Sequence, residues 1–369
     1  MDELLRSVIG AFDFPGELTG CSEIKTGHIN RTYRLAFSDG GAKREYLLQR
    51  INTFAFKKPE EVMENVTLVT EHLRRASEAR GQDPDNRVLR VIPTREGRPL
   101  LYDDSDGAWR AYNFIARAHS VDRVESPAQF EIVGRAFGDF QNMLSDFPIA
   151  RLHDTIPYFH DTVRRLENFE ASVAGDPARR AADAAAEIAF VRQRREAMGR
   201  IVGMIADGTL PLRVTHNDTK CNNVMVDDAT GEALCVVDLD TVMAGSALYD
   251  FGDAIRFGAS TATEDERDLS KVRLDMDLFR AFSEGFISRT ARGLQPVELE
   301  NLALGALVMT FEVGLRFLTD YLDGDVYFRT ACPEHNLVRA RCQFRLLQDM
   351  EAHRDEMDAI VRDLTRKYS

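Results

Sequence analysis

The stretch that decides the fold spans residues 213–258 and reads RVTHNDTKCNNVMVDDATGEALCVVDLDTVMAGSALYDFGDAIRFG. Two short apolar runs inside it, 222–226 and 233–237, are rich in β-branched residues, and the segment 227–232 between them has turn chemistry. The pattern predicts a β-hairpin. With Val224 opposite Val237 and Val226 opposite Cys235, its open end sets Asn223 beside Asp238, and Asp218 lies on the connection just upstream. Three oxygen-bearing side chains then converge at one end of a small sheet. Oxygen ligands of this kind hold magnesium beside a phosphate chain.

Working outward from there, residues 2–12 predict a short helix. Residues 23–37 read as strand, turn over Gly27 to Asn30, strand, and a further strand over 45–51 follows the turn at 39–41. Strands meeting through a polar turn could fold over a nucleotide, with Gly27, Asn30 and Thr32 as its contacts; an ordinary surface hairpin is the other reading. The turn is no G-x-G-x-x-G, and G-x-x-x-x-G-K-[ST] occurs nowhere, which excludes a Walker-type site. Gln49 and Arg50 adjoin in the strand. Alternation turns one of them inward, where a cation could meet phosphate, and leaves an exposed edge arginine as the alternative. Residues 59–80 are helical: Val62, Val66, Val69 and Leu73 recur at helical steps, and Pro59 suits the first turn. Glu61 and Glu64 are either partners of Arg50 or solvated helix surface. Residues 88–115 predict a three-strand meander (88–92, 98–102, 109–115). Helical patterns then cover 127–144, 161–174, 180–207, 272–290, 295–322 and 335–364. The expected fold class is α+β in two lobes: a β-rich, nucleotide-covering lobe over 1–115, and a mainly helical lobe over 116–369 carrying the hairpin.

The whole chain sets bounds on function. Its 369 residues are natural for two lobes, and 44% apolar content can bury a sizeable core. A net charge of −13 disfavours nucleic acid or an anionic membrane as the main partner, but leaves room for an anionic nucleotide in a locally positive pocket. The five cysteines are scattered and none has zinc-ligand spacing, so reduced thiols and a cytoplasmic location are expected. The first residues lack a signal-peptide pattern, and no run is expected to reach the roughly 18 apolar residues of a membrane span.

The loop His216-Asn217-Asp218-Thr219-Lys220-Cys221-Asn222-Asn223, the hairpin after it and Val237-Asp238-Leu239-Asp240 together resemble the H-x-D-x-x-x-x-N loop and I-D-x-x motif of the protein-kinase-like fold, in its aminoglycoside phosphotransferase and choline kinase branch. The resemblance implies Asp218 as catalytic base, Asn223 and Asp238 as Mg²⁺ ligands with Asp240 as a further ligand or an orienting residue, and Lys220 as the catalytic-loop lysine. Within that branch the wording is similar to the N-acetylhexosamine 1-kinases. It shares T-H-N-D-T-K-x-N-N-V-M from Thr215 and D-L-D-T-V-M-x-G-x-x-x-Y-D-F-G-D from Asp238, along with the segments 27–33, 46–52 and 316–322. Such kinases transfer the γ-phosphate of ATP to the anomeric hydroxyl of GlcNAc or GalNAc. The match implies Asp218 at the reacting hydroxyl and Arg316 and Tyr327 on the rest of the sugar. Two departures stand out: Asp240 replaces the DFG glycine, and Gln49-Arg50 replaces the usual strand lysine.

Several residues also have a purely structural reading. His216 reads as scaffold, because the base position lies two residues on. Asp250 reads as a brace for the catalytic loop or a helix cap, and His160-Asp161 as a helix start. Arg316, in a largely apolar helix, needs a polar partner and is either ion-paired or a substrate contact. The alternatives are another small-molecule kinase of this fold acting on an aminoglycoside, choline or other alcohol, a binding module without activity, and a glycosyltransferase using D-x-D. The last leaves residues 216–223 unexplained.

Overall fold

The computed structural model describes residues 2–25 and 30–369, and the chain divides into two compact units. The first comprises Met1–Val121, Met143–Pro157 and Asn223–Ala244; the second comprises Asp122–Asn142, Tyr158–Asn222 and Gly245–Ser369. Each unit therefore gathers segments that are far apart in sequence.

In the first unit, helix α1 (Glu3–Ala11) is capped by Asp2, which accepts from the Leu5 N–H at 2.8 Å. Its Leu5, Val8 and Ile9 lie on one stripe because they recur at helical steps. They pack on a sheet of β1 (Glu17–Ile24), β2 (Arg31–Asp39) and β3 (Ala42–Arg50), meeting Tyr33, Leu35, Phe37, Tyr46 and Leu48. Helix α2 is Pro59–Ala79. The expected meander is corrected. Strands β4 (Val91–Ile92) and β5 (Leu101–Tyr102) do not pair with each other; both pair with β6 (Ala108–Asn113), giving the order β1-β2-β3-β6-β4 with β5 also on β6. The cause is burial. Every residue of β6 is buried, so its backbone needs partners on both edges. Meanwhile Gly97, at φ 81°, turns the chain between Thr94 and Arg98.

A second sheet in this unit holds the expected hairpin. Strand β9 (Val224–Asp227) lies between β10 (Ala233–Val236) and a short strand that the sequence did not signal, β7 (Ala118–Ser120). The register differs from expectation by one residue: Val224 faces Val236 and Met225 faces Cys235, with an irregularity between Ala233 and Cys235. A single extra residue in one strand is invisible to period-two patterning. In consequence Asn223 lies against Val237, whose N–H donates to the Asn223 carbonyl at 2.9 Å.

The second unit is mainly helical, with a short strand β8 (Arg213–Thr215), and its helices begin with α3 (Pro127–Met143) and α4 (Thr162–Gly175). Three of the long patterns each split in two. Gly199 separates α5 (Ala185–Met198) from α6 (Arg200–Ala206). Downstream lie α7 (Ala247–Gly258) and α8 (Met276–Thr290), and then Asn301 separates α9 (Pro296–Glu300) from α10 (Leu302–Asp323). His353 separates α11 (His335–Ala352) from α12 (Arg354–Tyr368). Helix α10 corrects another expectation. By length and composition it could cross a membrane, but 89% of its apolar window is buried inside the protein, as suits a central core helix.

Helices α7 and α10 approach backbone to backbone. A Cβ on Gly252 would meet the Gly305 carbonyl, and one on Gly305 would meet the Leu248 carbonyl. Because backbone cannot yield as a flexible side chain does, Gly305→Ala is expected to lower stability by about 1–3 kcal/mol. Thermal unfolding of the variant beside the wild type checks this, and an unchanged midpoint would show that the two helices can separate at no cost.

Candidate active site

Strand β8 delivers the chain into a loop whose shape is set by a carboxylate that is 1% exposed. Asp250, in the first turn of α7, accepts from the His216 N–H (2.9 Å), the Asn217 N–H (2.8 Å) and the Gln141 amide (2.8 Å). Gln141 also donates to the Val214 carbonyl at 3.0 Å, tying α3 to β8. Asn217 adopts the left-handed conformation (φ 63°), unusual for a residue with a side chain and held here by the bonds on either side. Thr219 adds two more ties, its hydroxyl donating to the Asp250 carbonyl (2.6 Å) and its N–H to Asp253 (3.0 Å). Asp253 is in turn held by Arg256 at 2.8 Å, and Arg256 also meets Glu264 at 3.0 Å. Ser246 caps α7, so Asp250 is the brace and not the cap.

His216 is fully buried between the edges of Phe137 and Phe140, and its Nδ1 accepts from the Asp218 N–H at 3.3 Å. It is scaffold. The loop's product is a pair of functional groups: Asp218, partly exposed, lies 2.8 Å from the Lys220 ammonium. Burial works against the lysine's charge, but Asp218 and Asp253 outweigh it and hold Lys220 above its ordinary value. Lys220 is therefore a fixed cation. Of the supporting groups, Asp253, Arg256 and Gln141 are not legible in the sequence, since a polar or charged residue on a buried helix face gives no sign of what it faces.

In the other unit the D-L-D segment is arranged asymmetrically. Asp238 is exposed and left-handed (φ 59°, ψ 61°), at the head of a 3-10 turn, Leu239–Thr241. Asp240 is 4% exposed and forms an ion pair with Arg110, one guanidinium nitrogen on each carboxylate oxygen. Asp240 Oδ2 also accepts from the Asn30 amide at 2.7 Å, and Asn30 Oδ1 accepts from the Asn52 N–H at 3.0 Å. Arg110 Nε donates to Gln49 Oε1 (3.0 Å), and the Gln49 amide donates to the Thr32 hydroxyl (3.0 Å). Asn30, Thr32 and Gln49 thus share one network, which leaves Gln49 as the residue turned toward Asp240. Arg50 points to the other side of the sheet, over the Trp109 ring at 5.8 Å and 3.9 Å from Asp103. Glu61 pairs with Lys58 and Glu64 with His153, so neither serves Arg50. Gly27 lies outside the described residues. The one hint of Arg110 in the sequence was a charged residue inside an otherwise apolar strand.

The oxygen-bearing side chains assigned to a metal from the sequence, besides Asp240, are Asp238, which is exposed, and Asn223, which is 7% exposed. Among the described residues no group of three or more His, Cys, Asp or Glu is poised to hold an ion. A sparse, all-oxygen set fits Mg²⁺, which takes one or two protein ligands and fills its octahedron with water and phosphate oxygens.

Arg316 and Tyr327 belong to the second unit and do come together. The guanidinium lies 6.0 Å from the Tyr327 ring, 5.6 Å from Phe159 and 5.5 Å from Phe328. Glu312, one turn back on α10 and fully buried, is engaged by His160 (3.0 Å) and Arg165 (3.2 Å). Asp161 caps α4, as the helix-start reading expected.

A β-rich unit with an asymmetric D-L-D turn, and a helical unit presenting an aspartate–lysine loop braced from the following helix, define a protein-kinase-like fold of the small-molecule phosphotransferase type. The chain belongs to the phosphotransferase enzyme family, which it matches over residues 20–283. Among solved structures it is similar to a microcompartment-associated aminopropanol kinase (16% identity, TM-score 0.63, covering 96% of this chain and 98% of that one). It is also similar to a choline kinase from Cryptosporidium parvum (14%, 0.52, 94% and 93%). A third is a spectinomycin phosphotransferase solved with ADP and spectinomycin (12%, 0.50, 95% and 94%). At these identities the likeness is one of fold.

Glu312 yields a pH-dependent prediction. Burial opposes its charge, but His160 and Arg165 hold it below the ordinary value of 4.5. A depressed carboxylate contributes stability that is fully present above the unfolded value of 4.5 and is lost as pH falls through the lower folded value. Glu312→Gln should therefore be less stable than wild type at neutral pH, by about 3 kcal/mol or more. The gap should close as the pH drops below 4.5. Denaturant melts at several pH values measure it, and a gap that widens in acid would contradict the assignment.

Proposed function

We propose that this phosphotransferase is an ATP-dependent, Mg²⁺-requiring kinase that phosphorylates the anomeric hydroxyl of N-acetylhexosamines, releasing the sugar 1-phosphate and ADP. The observation that carries the acceptor class is the setting of Arg316. Its guanidinium lies among three aromatic rings, and Oε1 of the nearby Glu312 is engaged by His160 and Arg165. Aromatic faces suit the C–H face of a sugar, and a guanidinium supplies donors for its hydroxyl and acetamido oxygens. The same arrangement opposes the runner-up acceptors. Choline calls for an aromatic cage around its own positive charge, and here the rings already surround a cation. Aminoglycosides, being polycations, meet the same repulsion. The segments similar to the N-acetylhexosamine 1-kinases support the same reading.

In this reading Asp218 accepts a hydrogen bond from the C1 hydroxyl and takes its proton as the oxygen attacks the γ-phosphorus. The bond from that phosphorus to the β,γ-bridging oxygen breaks, and ADP leaves. An anomeric hydroxyl is more acidic than an ordinary alcohol, which eases the transfer. Lys220 offsets charge on the transferring group and, 2.8 Å from Asp218, holds that carboxylate in place. Mg²⁺, held by Asp238 and Asn223 with the nucleotide, would neutralise phosphate charge. Most of the remaining catalysis is positioning, supplied by the Asp250 brace.

Asp218→Asn should retain its fold and nucleotide binding and lose turnover by about two to four orders of magnitude, as for removal of a general base. The test is ADP release with a panel of N-acetylhexosamines, choline, amino alcohols and aminoglycosides, followed by NMR location of the new phosphate. Near-wild-type turnover in the variant would sink Asp218 as the base. Phosphate on any hydroxyl other than C1 would overturn the sugar 1-kinase reading and leave the family unchanged.

A further inference from the structure

We propose that Arg110 is a positioning residue for the Mg²⁺ end of the site, acting through Asp240, and that Asp240 is an anchor and not a metal ligand. The inference rests on the nucleotide and metal roles given above, but not on the identity of the acceptor.

A guanidinium that is 1% exposed must find an anion, and Arg110 finds it in Asp240, itself 4% exposed. The fork-to-carboxylate geometry fixes direction as well as distance. Three N–H donors, two from Arg110 and one from Asn30, converge on the two oxygens of Asp240. A carboxylate so engaged and so buried anchors the turn. Arg110 is itself aligned by Gln49, which leans on Thr32, and lies beside the Met63 sulfur of α2. The anchor therefore draws on β2, β3, β6 and α2 together.

The segment it anchors is short and strained. Leu239 is buried, the Val242 carbonyl accepts from Asn65 at 3.0 Å, and Asp240 is held by Arg110. Asp238, the exposed member, stands two residues from that ion pair in a left-handed conformation that non-glycine residues seldom adopt. Such a conformation persists only when its surroundings over-determine it. Arg110 does this while cancelling the charge of Asp240, which would otherwise repel a second carboxylate two residues away; its positive charge also bears on Asp238 itself. Where the resemblance leads one to expect a strand lysine the chain has Gln49-Arg50, and a buried cation of the β-rich unit, Arg110, comes instead from β6 and is spent on the metal-side turn.

The test measures ADP binding by calorimetry, with Mg²⁺ and with EDTA, and needs no acceptor. In the wild type Mg²⁺ should strengthen binding. In Arg110→Met that gain should fall by about tenfold or more, as for loss of a group supporting a metal ligand, with EDTA-condition affinity unchanged. Arg110→Lys, which keeps the charge but not the fork, should fall in between and guards against a methionine variant that does not fold. The double variant Arg110→Met/Asp240→Leu separates positioning from stability. Replacing a buried pair by apolar groups is often neutral or stabilising, so the melting temperature should recover while the Mg²⁺ response does not. Recovery of both, or single variants with a wild-type Mg²⁺ response, would overturn the inference. A wild type whose ADP affinity ignores Mg²⁺ would overturn the metal reading itself, and this inference with it.

Discussion

The carboxylate of Asp250 accepts two backbone N–H bonds and one amide bond in a place that water does not reach. Hydrogen bonds to a charged group are worth about 1.5–3 kcal/mol each, and leaving that group unsatisfied costs more. The loop of residues 216–219 therefore has one low-energy shape, and the left-handed Asn217 is part of it. Asp218 and Lys220 follow from that shape. They meet at 2.8 Å on a loop whose shape is set by Asp250 and Asp253.

The same constraint recurs elsewhere in the chain. Buried charge is tolerated where each anion has a partner: Asp240 with Arg110, Asp253 with Arg256, and Glu312, through Oε1 alone, with His160 and Arg165. Each pair spends desolvation energy on orientation, since an apolar pair would hold the core as well or better. The locations are telling. Asp250 and Asp253 support the loop with Asp218, and Asp240 supports the turn with Asp238. Glu312 and its partners lie one helical turn from Arg316, in a helix otherwise apolar enough to pass for a membrane span.

Much of this was legible in the sequence. The hairpin, the helical stripes and the order of Asp218, Asn223 and Asp238 are local patterns, set by periodicity and turn chemistry over a few residues. The register of the hairpin was not legible, because one irregular residue between Ala233 and Cys235 shifts the pairing without altering composition. The pairing of β6 with three other strands was equally hidden, since a fully buried strand reads the same whichever neighbours it has. Gln49 and Arg50 looked equivalent side by side, and only the sheet sorts them, one toward Asp240 through Arg110 and the other over Trp109.

By itself, the sequence determined the α+β class, the hairpin, and the order along the chain of Asp218, Asn223 and Asp238. These depend on which residues are neighbours along the chain. The tertiary structure alone decided that Asp240 faces Arg110, that Asp250 is a brace and not a cap, and that Arg316 sits among aromatic rings. Those outcomes depend on long-range partners, because a buried charge is satisfied by whatever the fold brings to it, and the chain around it carries no record of that partner.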